Sequence, residues 1–144
     1  MAARNQTAME TVEDTPSRNR ILAAIPTAEF DRVVAELEPC DLPIDMVIYE
    51  ADAPITHVYF PTSGCVSMVN VMEDGAVEVG TIGFEGFTGL PLLLGDDRMP
   101  TRAFVQLTGA GFRMRSGGFH ETLDKNPAFA RLLTTSHRVV PDRC

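Results

Sequence analysis

Apolar and polar residues recur on two different periods along this chain, and the change of period divides it. Phe30, Val33, Val34 and Leu37 fall at i, i+3, i+4 and i+7, the one-sided stripe of an amphipathic helix. Thr27, after Pro26, can cap that helix, with Glu29 and Asp31 in the first turn, where negative charge suits the helix dipole. Ser17 can cap a shorter helix through Ile25. From Pro39 the helical period is lost. Residues 47–49, 56–60, 65–72, 76–81, 102–107 and 111–115 are short runs rich in Val, Ile, Phe and Tyr. Ala-Asp-Ala-Pro, Pro-Thr-Ser-Gly and Glu-Asp-Gly clusters separate them, so they read as strands. Asp74-Gly75 predicts a two-residue hairpin turn, because such a turn needs the positive φ that Asp and Gly tolerate. Helical spacing then returns. Ser116 can cap a segment ending near Lys125, and Asn126-Pro127 supplies a cap with proline at the first helical position. Phe129, Leu132 and Leu133, with Ser136 or His137, continue the stripe until Pro141 limits it. Regularly spaced strands between short helices predict a mainly β domain, a small barrel or sandwich with flanking helices.

A chain of 144 residues is one domain on length alone. Residues 1–16 are polar and without period, and read as a disordered tail; the domain occupies 17–140, and 141–144 form a short C-terminal tail. With 44% hydrophobic and 22% charged residues, such a domain can bury a core without staples. The longest apolar run, Gly89 to Gly95, is cut by Pro91, far short of the roughly 18 residues a membrane span needs. The first sixteen residues hold no apolar stretch of signal-peptide length. A cytoplasmic protein without membrane contact is expected.

The net charge of −8 hides an asymmetry: residues 1–97 carry four basic and seventeen acidic side chains, residues 98–144 eight and three. The acidic body repels nucleic acid, and the basic charges from Arg98 to Arg143 are too dispersed for a phosphate-binding patch, so they read as a solvated helix face. Cysteines at 40, 65 and 144 form no C-x-x-C pair and indicate neither a disulfide framework nor a zinc site. Cys65, in an alternating apolar run, reads as a small buried hydrophobe.

Candidate chemistry is sparse. No Gly-x-Ser-x-Gly elbow is present, and Ser63 is a turn serine. His57, His120 and His137 lack metal-ligand spacing; the first reads as a strand residue, the others as helix-surface residues. Glu73, Asp74 and Glu78 read as solvated positions of a hairpin, and Gly109-Ala110-Gly111 as a turn. The stretch from Gly83 to Gly95 differs. It combines closely spaced glycines, the carboxylate of Glu85 and a short apolar helix candidate between two strands. Glycines there let backbone N–H groups approach an anion. A tight turn whose Leu92 to Leu94 plug a barrel mouth explains the same residues, and both readings stay open.

The order of elements, with the phrases at residues 42–50, His57-Val-Tyr-Phe-Pro-Thr-Ser-Gly64 and Val77-Glu-Val-Gly80, resembles the cyclic-nucleotide-binding β-roll of Crp/Fnr-type bacterial transcription regulators over about residues 18–138. The resemblance implies a jelly-roll-like double-stranded β-helix that senses a ligand, with short N-terminal helices and a closing helix that pairs two copies. In that family a winged helix-turn-helix follows and reads DNA. Its nucleotide-binding members place a Gly-Glu-x-Gly before a short helix, where Glu takes the ribose hydroxyl and a later Arg the cyclic phosphate. Glu85-Gly86 matches in part, and anchoring on Ala103 puts Thr101 in the arginine's place. Arg102, one residue along a strand, would face away unless a bulge corrects it. Losing that charged contact speaks against conventional cyclic AMP binding. Four residues after Val140 cannot form a helix-turn-helix, so no direct DNA binding by this chain is expected.

The expectation is therefore a non-enzymatic, ligand-sensing domain of, or derived from, a transcription regulator, without cofactor or metal. Gly83, Glu85, Gly86, Gly89, Thr101 and Arg102 are its candidate site for a small anionic ligand, cyclic nucleotide or other, and residues 127–140 its route to a homodimer or another partner. The alternatives are a degenerate roll kept as an interaction module, a small cupin-like barrel enzyme, and a regulator cut short by an early stop.

Overall fold

The structure, a computed structural model, describes residues 15–93, Gly95 and residues 101–135. Most of both expected tails, and Leu94, Arg98, Ser136, His137, Val140 and Cys144, lie outside these described residues. A 3-10 turn at Pro16–Arg18 leads into α1 (Arg20–Ala23) and then α2 (Thr27–Val34). The cap of α1 is Asn19, not Ser17. Because the 3-10 turn takes up residues 16–18, Asn19 Oδ1 is left to accept from the N–H groups of Ile21 at 2.9 Å and Leu22 at 3.2 Å. Thr27 is the first residue of α2 rather than its cap, and Pro26 precedes it with no side-chain bond. Of the stripe on α2, Val33 is fully buried while Phe30 and Leu37 pack at the core's margin.

Seven strands follow: β1 (Glu38–Leu42), β2 (Val47–Tyr49), β3 (His57–Pro61), β4 (Cys65–Met72), β5 (Gly75–Ile82), β6 (Thr101–Leu107) and β7 (Gly109–Arg115). All pairings among them are antiparallel, in a three-stranded sheet of order β1-β7-β3 and a four-stranded sheet of order β2-β6-β4-β5. This is the β-roll that the resemblance implies, and it meets the strand runs' coarser expectation of a mainly β domain. β1 is the strand that the apolar pattern does not show. Glu-Pro-Cys-Asp-Leu is mostly exposed, pairs only with β7 and stands at a sheet edge, where proline is tolerated.

Two turns fall one step from their expected places. Met72 pairs with Gly75, so the hairpin loop is Glu73-Asp74, and Gly75 supplies the positive φ as the first residue of β5. Gly109-Ala110-Gly111 is the opening of β7 rather than a turn. A Cβ on Gly109 would stand 2.2 Å from the Ser63 carbonyl oxygen, and one on Gly111 2.7 Å from that of Phe60. Here glycine serves close backbone approach.

α3 (Leu90–Leu93) sits between β5 and β6, and α4 (Ser116–Lys125) and α5 (Pro127–Thr135) follow β7. The main core joins helices to strands: Leu22, Val33, Val58, Phe60, Val66, Met114, Phe119, Phe129 and Leu133 lie in one cluster, and Leu42, Tyr59 and Val105 form a smaller one. Cys65 is fully buried in β4. Asn126 does not cap α5 through its side chain, which donates to the Thr122 carbonyl and accepts from Arg32 Nε. The N–H groups of Ala128 and Phe129 instead donate to the Glu29 carboxylate of α2, at 3.0 and 2.9 Å.

Candidate ligand-binding site

The glycine-rich segment leaves β5 at Gly83 and turns at once. The N–H of Gly86 donates to the Gly83 carbonyl at 3.2 Å, and the half-buried Glu85 folds back so that its Oε2 accepts from the Gly83 N–H at 3.4 Å. The chain then runs along the open edge of β3. Thr88 N–H donates to the Tyr59 carbonyl at 3.0 Å, and Tyr59 N–H donates to Thr88 Oγ1 at 3.2 Å. Gly89 takes φ 107°, and a Cβ there would stand 3.0 Å from Val58 Cγ2, so neither its conformation nor its space admits a side chain readily. Phe87 stacks on Phe60 at 6.0 Å between ring centroids, and Phe60 meets Phe129 of α5 at 6.1 Å. One helical turn on, the Leu92 carbonyl lies 2.9 Å from His120 Nε2 of α4. Of the plug reading's three leucines Leu92 is buried and Leu93 partly so, with Leu94 outside the described residues, while α3 has only one turn with which to present an N-terminus to an anion.

Gly83, Glu85, Gly86 and Gly89 therefore form one continuous turn. Thr101 lies elsewhere along the sheet. Ile82 pairs opposite Val66 and Thr101 opposite Asn70, which separates them by four residues of β4, roughly 13 Å. Thr101 is buried with Ala103 and Val105 on alternate positions of β6, and its hydroxyl donates to Asn70 Oδ1 at 3.0 Å. Arg102 is on the opposite face. Its Nε donates to Glu50 at 3.0 Å and its guanidinium lies 5.2 Å from the Phe104 ring centroid, as strand alternation requires. No bulge turns it inward: the β4–β6 register is continuous from Val66 to Asn70.

Four residues of this region carried no signal as site residues. Tyr49 pairs opposite Ala103, and burial pushes its phenol up to about 12. Asn70 interrupts an apolar strand and is the partner of Thr101; Thr88 reads as an ordinary loop residue, and Asn19 lies two residues beyond Ser17, which the sequence offers as the cap. A polar residue inside an apolar strand was the one available clue. His57 stands apart on β3, where partial burial, then Arg113 and Arg115, hold its imidazole below the usual value against the opposing pull of Glu38. Among the described residues no group of three or more His, Cys, Asp or Glu side chains is placed to hold a metal ion. None of their helices is long and apolar enough to cross a membrane.

Two antiparallel sheets, short helices ahead of them, a glycine-rich turn with one helical turn between β5 and β6, and helices after β7 define the cyclic-nucleotide-binding β-roll. Among solved structures the chain is similar to the N-terminal domain of a transcriptional regulator from Streptomyces coelicolor A3(2), at 18% identity over 86% of this chain and 89% of that one, with a TM-score of 0.66. It is similar also to the sensor domain of the transcriptional regulator DNR from Pseudomonas aeruginosa, at 12% identity over 88% and 85% of the two chains, TM-score 0.66. A third is the regulator CLP of Xanthomonas campestris, described as responsive to c-di-GMP, at 14% identity and TM-score 0.64; the match covers 76% of this chain and 56% of that longer one. No family model and no curated protein matches the chain. The structural neighbours are thus Crp/Fnr-type regulator domains and cyclic-nucleotide-binding domains, and at these identities the likeness is one of fold.

Proposed function

We propose that this chain is a ligand-sensing regulatory domain of the Crp/Fnr type, cytoplasmic and non-enzymatic, that holds a small anionic ligand at the Gly83–Gly89 turn and reports occupancy through α4 and α5. The observation that carries this reading is the attachment of the turn to the closing helices. Phe87 reaches α5 through Phe60, and the Leu92 carbonyl reaches α4 through His120. A ligand that prefers one arrangement of the turn thereby biases the packing of both helices, which is all that signalling requires. Gly83, Glu85, Gly86 and Gly89 contribute the turn, and Thr101 with Asn70 a neutral polar pair further along the inner face. Arg102, committed to Glu50, takes no part in an arginine-dependent cyclic AMP mode. The output is association through the closing helices, with a second copy or another regulator, rather than DNA contact by these residues.

The test is thermal unfolding with and without a panel of cyclic mononucleotides and cyclic dinucleotides. A ligand at 100 times its Kd adds about 2.7 kcal/mol, an upward shift of several degrees. Glu85→Ala, which loses only the 3.4 Å bond to Gly83, is expected to remove that shift with little change in the unliganded Tm. Silence of the wild-type protein across the panel overturns the sensing reading.

A second reading rests on a separate observation. Val71, Met72, Val77 and Val79 are between 42% and 54% exposed on the β4–β5 ribbon, whose outer strand is a sheet edge. A bare apolar edge of that kind favours an interaction module. Co-migration with a full-length regulator, alongside silence in the ligand panel, would establish it.

A further inference from the structure

We propose that Asn19 is the positioning residue of the candidate site, fastening the Gly83–Gly86 turn to the head of α1 so that turn and helix move as one unit. The inference rests on the reading that this turn receives the ligand. Asn19 is fully buried, and its side chain spends its whole hydrogen-bonding capacity at one junction. Oδ1 accepts from the N–H groups of Ile21 and Leu22, while Nδ2 donates to the Pro61 carbonyl at 2.8 Å and the Gly86 carbonyl at 2.9 Å. Only this orientation of the amide satisfies all four partners. One residue on, the Arg20 N–H donates to the Phe84 carbonyl at 2.7 Å, and its guanidinium lies 5.4 Å from the centroid of the exposed Phe84 ring.

The turn's own bonds are longer than those that hold it from outside. Within it, Gly86 N–H reaches Gly83 O at 3.2 Å and Gly83 N–H reaches Glu85 at 3.4 Å. Its two glycines impose little conformation of their own. The direction in which the backbone groups of residues 83–86 point is therefore set by Asn19 and Arg20, more than sixty residues earlier. Of the other common capping side chains, neither aspartate nor serine makes all four bonds. Aspartate caps the helix but turns a carboxylate on two carbonyls, and serine caps it with one short hydroxyl in place of two N–H donors. A displacement of α1 releases both carbonyls together, so the state of the N-terminal helix governs the site.

Hydrogen exchange on the full chain tests this. Asn19→Ser keeps a helix cap and removes both donors. The Gly86 and Thr88 amides are expected to exchange about tenfold faster, while the Ala23 amide within α1 stays near its wild-type rate. Unchanged exchange at Gly86 and Thr88, or an equal acceleration at Ala23, overturns the positioning role. Should the variant fail to fold, the wild-type protein decides: native-state exchange across a urea series is expected to show Gly86 and Ala23 opening together, and separate opening of Gly86 at lower urea overturns the proposal. Cyclic AMP and cyclic di-GMP are the binding probes, used well below Tm. A probe that binds the wild type is expected to bind Asn19→Ser about tenfold more weakly, and equal binding counts as refutation. If neither probe binds the wild type, the sensing reading has lost support, and the exchange result still decides the clamp.

Discussion

Replacing Glu29 by alanine tests the joint between the two ends of the fold. The residue is 8% exposed on α2, and both carboxylate oxygens are used, by the N–H of Ala128 at 3.0 Å and that of Phe129 at 2.9 Å. Those are two of the free donors at the start of α5, where a negative charge also meets the positive end of the helix dipole. Loss of a helix cap costs about 0.5–2 kcal/mol, and a buried donor left without a partner about 1–3 kcal/mol. The Phe129 N–H is buried and pays the second cost; the Ala128 N–H, at a half-buried residue, recovers part of its loss from water. The expected destabilisation is about 2 kcal/mol, or roughly 6–10 °C in Tm for a domain of this size. Urea unfolding followed by circular dichroism measures it, as a lower midpoint at unchanged slope. Glu29→Gln keeps one acceptor and turns an NH₂ toward the other N–H, so about half the loss is expected. Because both lost bonds lie at the start of α5, its amides should lose protection before those of β4. A Glu29→Ala protein within about 0.5 kcal/mol of wild type would refute the reasoning.

Further expectations follow from single contacts. Gly109→Ala forces a Cβ against the Ser63 backbone and should destabilise by more than about 2 kcal/mol in the same urea assay; a neutral result would mean that β7 and the Ser63–Gly64 turn separate freely. Tyr49, with its phenol raised to about 12 by burial against an ordinary 10.0, holds its proton longer folded than unfolded. Its contribution to stability is intact below pH 10 and is lost as pH rises toward 12, so Tyr49→Phe should flatten the alkaline fall in stability over that window. His57 should titrate below 6.5 by NMR, and Arg113→Gln should raise its midpoint by removing a neighbouring cation while leaving Glu38; an unmoved midpoint would refute the part assigned to Arg113 and leave burial and Arg115 as the causes.

Period and local chemistry carried most of the architecture. The alternation in residues 102–107 reflects a strand with opposite faces in different surroundings, whereas residues 65–69 are buried on both faces, and the stripe through Phe30, Val33 and Leu37 reflects a helix with one buried side. These are properties of neighbours along the chain, so they are legible without a fold. The same alternation foretold that Arg102 turns away from Thr101 and Ala103. Strand β1 was illegible because Glu38, Pro39 and Asp41 are exposed and only Leu42 at its end is fully buried, so its identity comes from the backbone of β7. The hairpin slipped by one residue for a related reason: the pairing of Met72 with Gly75 is set by the register of the whole β4–β5 ladder, not by the preference of Asp-Gly.

The site divides along the same line. Composition marked the glycine-rich turn as unusual, since closely spaced glycines beside one carboxylate stand out in any sequence. Tertiary structure alone decided what the turn meets: Asn19 on one side, Tyr59 through Thr88 on another, and the closing helices at one remove, through Phe60 to Phe129 and through Leu92 to His120. It decided also that Thr101 sits about 13 Å along the sheet from that turn, and that the cap of α5 comes from Glu29, a hundred residues earlier. A side chain's type tells what it can donate or accept, and its spacing tells which local face it occupies. Which distant carbonyl or N–H it meets depends on loop closures and sheet registers settled by the whole core at once, and no local pattern encodes them.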